Sequence, residues 1–300
     1  MRLKLARLKT NSRPATRFRE AEQRVQQMQE RPVPSPLNPV SRTIFLSHGV
    51  RTRRAVLLLH GYTNSPQQFR QLGQLFFEQG CNVLIPRMPH HGLAQRLNKE
   101  LGKLTGEQLV AFATEACDIA IGLGEELTVM GLSAGGILTG WLASQRADID
   151  TAILISPAFG ATGQSVGSIS RLTRLALALP NLNIWWGERG DLSGLAHAYP
   201  RWSTRGLAHI FRVGVAIRRS ARRNAPQAKQ LVIVENENDG AISHLAVARL
   251  RRDLERNNVA YEHHVFPPSD DLDHDLIDPM HEKAQPDLVY PILLRLGLHL

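Results

Sequence analysis

Three hundred residues carry 43% apolar side chains, 36 Lys and Arg against 27 Asp and Glu, and only two cysteines. That length can bury a sizeable core, and it suits one larger α/β domain with a small insertion as well as two domains. No run of about 18 uncharged apolar residues occurs, which argues against a membrane span; Cys81 and Cys117 lack C-x-x-C spacing and read as free, buried thiols.

Met1 to Lys9 carry charges throughout and build no apolar stretch of a secretory signal, so a cytoplasmic location is expected. Residues 1–32 hold nine Arg or Lys and three Glu, six of the nine net positive charges of the chain. Leu3, Leu5 and Leu8 alternate with Arg2, Lys4, Arg7 and Lys9 there, a pattern that a solvated or partly helical extension or a basic segment laid on an anionic membrane would share. Arg218, Arg219, Arg222 and Arg223 form a second basic cluster with the spacing of a solvated helix face. Neither cluster comes with a zinc-finger or aromatic RNA-binding signature, so nucleic acid is not an expected partner.

Pro32, Pro34, Pro36 and Pro39 rule out helix or central strand and mark a linker, placing a basic extension with its Pro-rich linker at residues 1–42. Thr43 to Leu46 reads as a strand and Ala55 to Leu59 as one buried on both faces. A helix follows, capped by Asn64 or Ser65, with Pro66 in its first turn and Gly80 at its stop. Asn82 to Ile85 is the next strand. Thr105 and Gln108 form a capping box for a helix to about Gly122, with Leu109, Phe112, Ala116, Ile119 and Ala120 as its buried stripe. Strands Leu127 to Met130 and Ala152 to Ile155 continue the alternation, with a helix to about Gln145 between them. From about Gly160 to Pro226 no buried strand appears, as expected of a cap inserted over one end of the sheet. Leu231 to Val234 restores the sheet; Leu245 to Leu254 reads as a helix, Tyr261 to Phe266 as a last strand, and Asp287 to Leu296 as the closing helix. Such alternation predicts a mostly parallel sheet covered on both faces, with the core at residues 43–159 and 227–300 and the insertion at 160–226.

Gly131-Leu132-Ser133-Ala134-Gly135 follows an apolar strand and opens a helix. At such a turn a serine is lifted out of the backbone and the flanking glycines remove clashing Cβ atoms, so Ser133 is the candidate nucleophile. A serine hydroxyl needs a histidine to take its proton and a carboxylate to fix that histidine's tautomer, and in this topology they follow in the order serine, acid, histidine. Asp239 lies just past a strand, with Glu235 and Glu237 as rivals and helix capping as its alternative role. His274, in the loop after the last strand, is the candidate base, with His281 second. His244 follows the acid too closely, and His263 and His264 lie within a strand. The backbone N–H groups of Ala134 and Tyr62 are placed to hold an oxyanion. His60 reads as a turn residue. No zinc-type spacing is present, so neither metal nor cofactor is expected.

Leu58-Leu59-His60-Gly61-Tyr62-Thr63, Gly131 to Gly136, Asp239 and His274-Asp275-Leu276 resemble, in motif order over residues 43–300, the α/β-hydrolase superfamily and within it the monoacylglycerol-lipase-like bacterial carboxylesterases. The resemblance implies an eight-stranded sheet, a cap after the strand ending near Ser156, no metal, and hydrolysis through an acyl-enzyme. Pro89-His90-His91-Gly92 resembles a loop of these enzymes and reads as structural or pocket-lining. The glycine usual ahead of the acid is missing. The expected function is hydrolysis of a small-molecule carboxylic ester, such as a monoacylglycerol or lysophospholipid. A peptidase or amidase with the same three residues is one alternative, and a non-catalytic binding protein of this fold is another.

Overall fold

The structure, a computed structural model, describes residues 8–299. Helix α1 (Phe18–Gln29) precedes strand β1 (Ile44–Leu46). Then come β2 (Thr52–Leu59), α2 (Arg70–Glu78), β3 (Asn82–Ile85), α3 (Gly106–Ile121), β4 (Gly124–Leu132), α4 (Ala134–Gln145) and β5 (Thr151–Ile155). The chain continues through α5 (Val166–Ala178), β6 (Asn183–Trp185), β7 (Arg201–Ser203) and α6 (Thr204–Ala221). It closes with β8 (Gln230–Asn236), α7 (His244–Arg256), β9 (Glu262–Phe266) and α8 (Pro286–Leu298).

The main sheet has seven strands in the order β1-β3-β2-β4-β5-β8-β9. All neighbours run parallel except edge strand β1, which is antiparallel to β3. The implied eighth strand is absent from it. Before β1 the chain carries Pro32, Pro34, Pro36 and Pro39, which cannot donate to a further ladder, and Pro39–Ser41 forms a 3₁₀ turn instead. β6 and β7 form a separate two-stranded ribbon.

The central strands are apolar on both faces because both are covered. Leu57, Leu59, Val129, Ala152 and Ile233 pack toward α3 and α4, whereas Val56, Leu58, Met130, Ile153 and Val232 pack toward α2 and α8. The capping box of α3 forms as expected, with Gln108 N–H on Thr105 Oγ1 and Thr105 N–H on Gln108 Oε1. The predicted start of α2 is instead a 3₁₀ turn over Pro66–Phe69.

Of the expected extension, residues 1–7 lie outside the described residues, and with them Leu3 and Leu5. The rest is docked on the core. Ala21, Val25 and Met28 of α1 recur at helical spacing and are buried, and α1 packs against α3. Leu8 is buried as well. Asp118 of α3 accepts from Ser12 Oγ and Arg13 N–H and pairs with Arg146 Nη1 at 2.6 Å. Arg218 also departs from the solvated face expected of its cluster: it is buried, whereas Arg219 remains outside the core of α6.

Between β5 and β8 the chain leaves the sheet for α5, β6, β7 and α6, which accounts for the missing strand run there. Trp186 Nε1–H donates to Thr63 Oγ1 at 2.9 Å, Tyr199 N–H to Thr63 O at 2.8 Å, and the Tyr62 hydroxyl to Ser203 O at 3.1 Å. The insertion thus sits against the loop that follows β2. Among the described residues no helix is long and apolar enough to cross a membrane.

Candidate active site

Ser133 occupies the one-residue turn between β4 and α4, with φ 57° and ψ −109°. A non-glycine residue there is strained, and the surroundings fix it. Ser133 N–H donates to Ile155 O at 2.9 Å, and Ser133 O accepts from Ile137 N–H and Ala158 N–H. The glycines are required by backbone proximity. A Cβ on Gly135 would lie 1.8 Å from Leu59 O, and one on Gly131 would lie 2.3 Å from the carbonyl carbon of Gly135. The tight crossing of β2, β4 and α4 therefore exists only because these positions lack side chains.

Asp239 follows β8 and His274 follows β9, adjacent parallel strands whose carboxyl ends bring the two loops together. His274 Nδ1 lies 2.7 Å from Asp239 Oδ2, and the Asp239 side chain is fully buried. Its other oxygen accepts from Ala241 N–H at 2.9 Å and Ile242 N–H at 3.3 Å. Asp239 orients the histidine but does not cap α7, whose N-cap is Ser243; its second oxygen closes a turn ahead of that helix. Burial works to raise the Asp239 pKa, but the hydrogen bond and charge of His274 and the Ala241 N–H outweigh it and hold it below the usual carboxylate value. For His274 burial works downward, and the hydrogen bond and charge of Asp239, with Asp275 and Asp273, leave it raised.

The rivals are engaged elsewhere. Glu235 holds His263 Nε2 at 2.9 Å and Arg251 Nη1 at 3.3 Å, and Glu237 is exposed. His281 lies 3.8 Å from Asp273, and His244 opens α7, its Nε2 3.0 Å from Asp239 O.

The turn after β2 distributes its donors unequally. Gly61 N–H donates to Gln68 Oε1 at 2.7 Å and Thr63 N–H to His91 Nε2 at 3.3 Å. Among the described residues no acceptor takes the Tyr62 N–H between them, nor that of Ala134 at the first position of α4. His60 and His91 support this turn as buried neutral rings. His60 Nδ1–H donates to Gly61 O while Nε2 accepts from Met88 N–H, and His91 Nδ1–H donates to Pro89 O. Burial lowers the His60 pKa to about 4 and that of His91 well below its ordinary value. His90 instead pairs with Glu100 at 3.2 Å. Cys81 and Cys117 are free and buried, with thiols pushed up to about 11 and about 12 by that burial.

Of three supporting residues, two have no local signal in the sequence and the third, Asn64, reads there only as a helix cap. Asn236, fully buried, donates from Nδ2 to Leu272 O and Asp273 O and so ties β8 to the His274 loop. Gln68 donates from Nε2 to Asp275 Oδ2 at 2.7 Å while its Oε1 holds Gly61, and Asn64 donates to the same Asp275 oxygen at 3.0 Å. One amide thus joins the turn after β2 to the loop of His274.

A family model described as "Alpha/beta hydrolase family" matches residues 56–291, and the chain belongs to that family. A thermostable monoacylglycerol lipase from Bacillus sp. (strain H-257) is 33% identical over 94 residues, which cover 31% of this chain and 36% of that protein. The chain thus matches only about a third of the length of that relative. Among solved structures, a monoacylglycerol lipase from Paleococcus ferrophilus superposes with TM-score 0.64 at 18% identity, covering 86% of this chain and 98% of that one. A soluble variant of the monoglyceride lipase from Saccharomyces cerevisiae gives TM-score 0.65 at 17% identity, over 90% and 98%. At such identities these likenesses establish the fold.

Proposed function

We propose that this protein is a serine hydrolase of small carboxylic esters. The observation that carries the proposal is the buried Asp239 carboxylate on His274 Nδ1 at 2.7 Å, on loops at the carboxyl edge of the parallel sheet from which the strained Ser133 turn also emerges. Asp239 fixes the tautomer in which Nε2 is free to act as base. Ser133 Oγ attacks the ester carbonyl carbon as His274 Nε2 takes its proton, and the carbonyl oxygen becomes an oxyanion held by the N–H groups of Tyr62 and Ala134. Collapse expels the alcohol, which receives the proton from His274. Water, deprotonated by the same nitrogen, then attacks the acyl-enzyme, and collapse releases the acid and restores Ser133.

Likeness to the monoacylglycerol lipases favours a monoacylglycerol over an amide substrate. A base must be neutral to act, and His274 is held above the ordinary imidazole value, so kcat/KM is expected to rise with pH through a limb above that value. A panel of p-nitrophenyl esters assayed across pH tests both points. Absence of turnover for every chain length, or an acid limb below the ordinary imidazole value, counts against the proposal.

Of the leucines that would lay the basic extension on a membrane, Leu8 is spent on the core and Leu3 and Leu5 lie outside the described residues, so the peripheral membrane contact we propose is placed on the insertion. Leu172, Leu175 and Leu179 form an exposed stripe on and just past α5, interleaved with exposed Arg171 and Arg174. Residues 160–226 carry ten arginines against one glutamate and one aspartate. An apolar stripe set among cations suits an anionic lipid surface. Co-sedimentation with phosphatidylglycerol vesicles is expected to weaken by about 100-fold in Leu172→Ser/Leu175→Ser, because each leucine that would leave water for the lipid contributes about 1.5 kcal/mol or more. Equal binding of variant and wild type would remove the idea.

A further inference from the structure

A second buried histidine–carboxylate pair lies beside the first. His197, in the inserted segment, places Nε2 2.6 Å from Asp278 Oδ2, and the two side chains are 2% and 1% exposed. Asp278 belongs to the loop of His274, four residues on. Its N–H donates to Asp275 Oδ1 at 3.1 Å, and its Oδ1 accepts from Met280 N–H. Asp275, directly after His274, is the carboxylate that Gln68 and Asn64 hold by its other oxygen.

The electrostatics of this loop make His197 more than packing. Burial raises the Asp275 pKa, and the neighbouring Asp278 raises it further, so two carboxylates share a desolvated turn. Among the described residues neither has a Lys or Arg partner, and His197 is the one basic side chain hydrogen-bonded to either. A carboxylate buried with no partner is costly, so Asp278 keeps its place only while the inserted segment delivers His197 to it.

We propose that His197 is a positioning residue for His274. Through Asp278 and the Asp278 N–H on Asp275 it sets the turn on which His274 stands, so that seating of the insertion and orientation of the base become one variable. The pair differs in kind from His274–Asp239: it takes no proton from substrate and touches no reacting atom. The consequence for function rests on the esterase proposal, but the geometric coupling does not.

The test uses the full chain and two readouts. In His197→Ala, kcat on a short p-nitrophenyl ester is expected to fall on the order of 100-fold, the scale of a small misplacement of a reacting group, with KM little changed. His197→Gln, which keeps an N–H donor toward Asp278, is expected to recover most of that loss. Proton NMR gives the second readout: the low-field Nδ1–H resonance of His274, assigned by its disappearance in His274→Gln, is expected to shift or broaden in His197→Ala. Folded His197→Ala with kcat within about twofold of wild type, a loss confined to KM, or an unmoved resonance would overturn the inference. If His197→Ala does not fold, Asp278→Asn takes its place: the same fall in kcat and the same shifted resonance are expected, and an unchanged kcat or resonance overturns the inference. Wild type inert toward esters with a resonance that responds to position 197 would end the esterase proposal and leave the coupling standing.

Discussion

Asp239→Asn is expected to lower kcat by about 10⁴-fold while the protein remains folded, whereas Glu235→Gln lowers it by less than about tenfold. The asymmetry follows from what each carboxylate touches. Asp239 Oδ2 holds His274 Nδ1 at 2.7 Å, and Asn would present an amide N–H there as readily as its carbonyl. Its Nδ1 would then accept, and the proton would move to Nε2, the nitrogen that must receive a proton from Ser133. The remaining oxygen would still accept from Ala241 and Ile242, which preserves the turn. Glu235 is committed to His263 and Arg251, so its loss disturbs the flank of β9 without touching His274. Steady-state kinetics on the two purified variants, with circular dichroism to verify folding, separates the assignments. Comparable losses would mean that the acid has been misassigned.

Gly135→Ala is expected to destabilise the fold by more than about 4 kcal/mol, among the largest effects of any single methyl group in the chain. The added Cβ would sit 1.8 Å from Leu59 O, an atom of central strand β2 that cannot withdraw without breaking its ladder to β4. Gly167→Ala is the matched control. Position 167 lies in α5 with open space around it, and alanine there should be neutral or stabilise by up to about 1 kcal/mol. Thermal unfolding of both variants checks the pair. A Gly135→Ala protein that melts near wild type would refute the crossing geometry of the Ser133 turn.

The residues that make this site readable in the sequence are those whose signal is local. The glycines around Ser133, the apolar runs of β2, β4, β5 and β8, and the Thr105–Gln108 box each encode their geometry within a few positions. His274 and Asp239 can be ordered along the chain because parallel strands deliver their following loops to one edge of the sheet. Gln68, Asn236 and His197 are not legible for the opposite reason: their partners lie 207, 36 and 81 residues away. Position 236 stands out in the sequence only within a segment lacking a glycine, yet the asparagine there fastens β8 to the His274 loop. The extension shows a signal outweighed by another. Ala21, Val25 and Met28 have the spacing of a buried helix face, but the surrounding Arg and Glu side chains suggest solvation. The implied eighth strand fails where four prolines displace a family expectation.

The central claim is that Ser133 is a nucleophile activated by His274. Labelling with a fluorophosphonate tests it most directly, because the reagent bonds to a serine oxygen only where a base and oxyanion donors are assembled around it. Wild-type protein should label stoichiometrically and Ser133→Ala should not label at all. Folded wild-type protein that takes up no probe, or Ser133→Ala that labels equally well, would contradict the account.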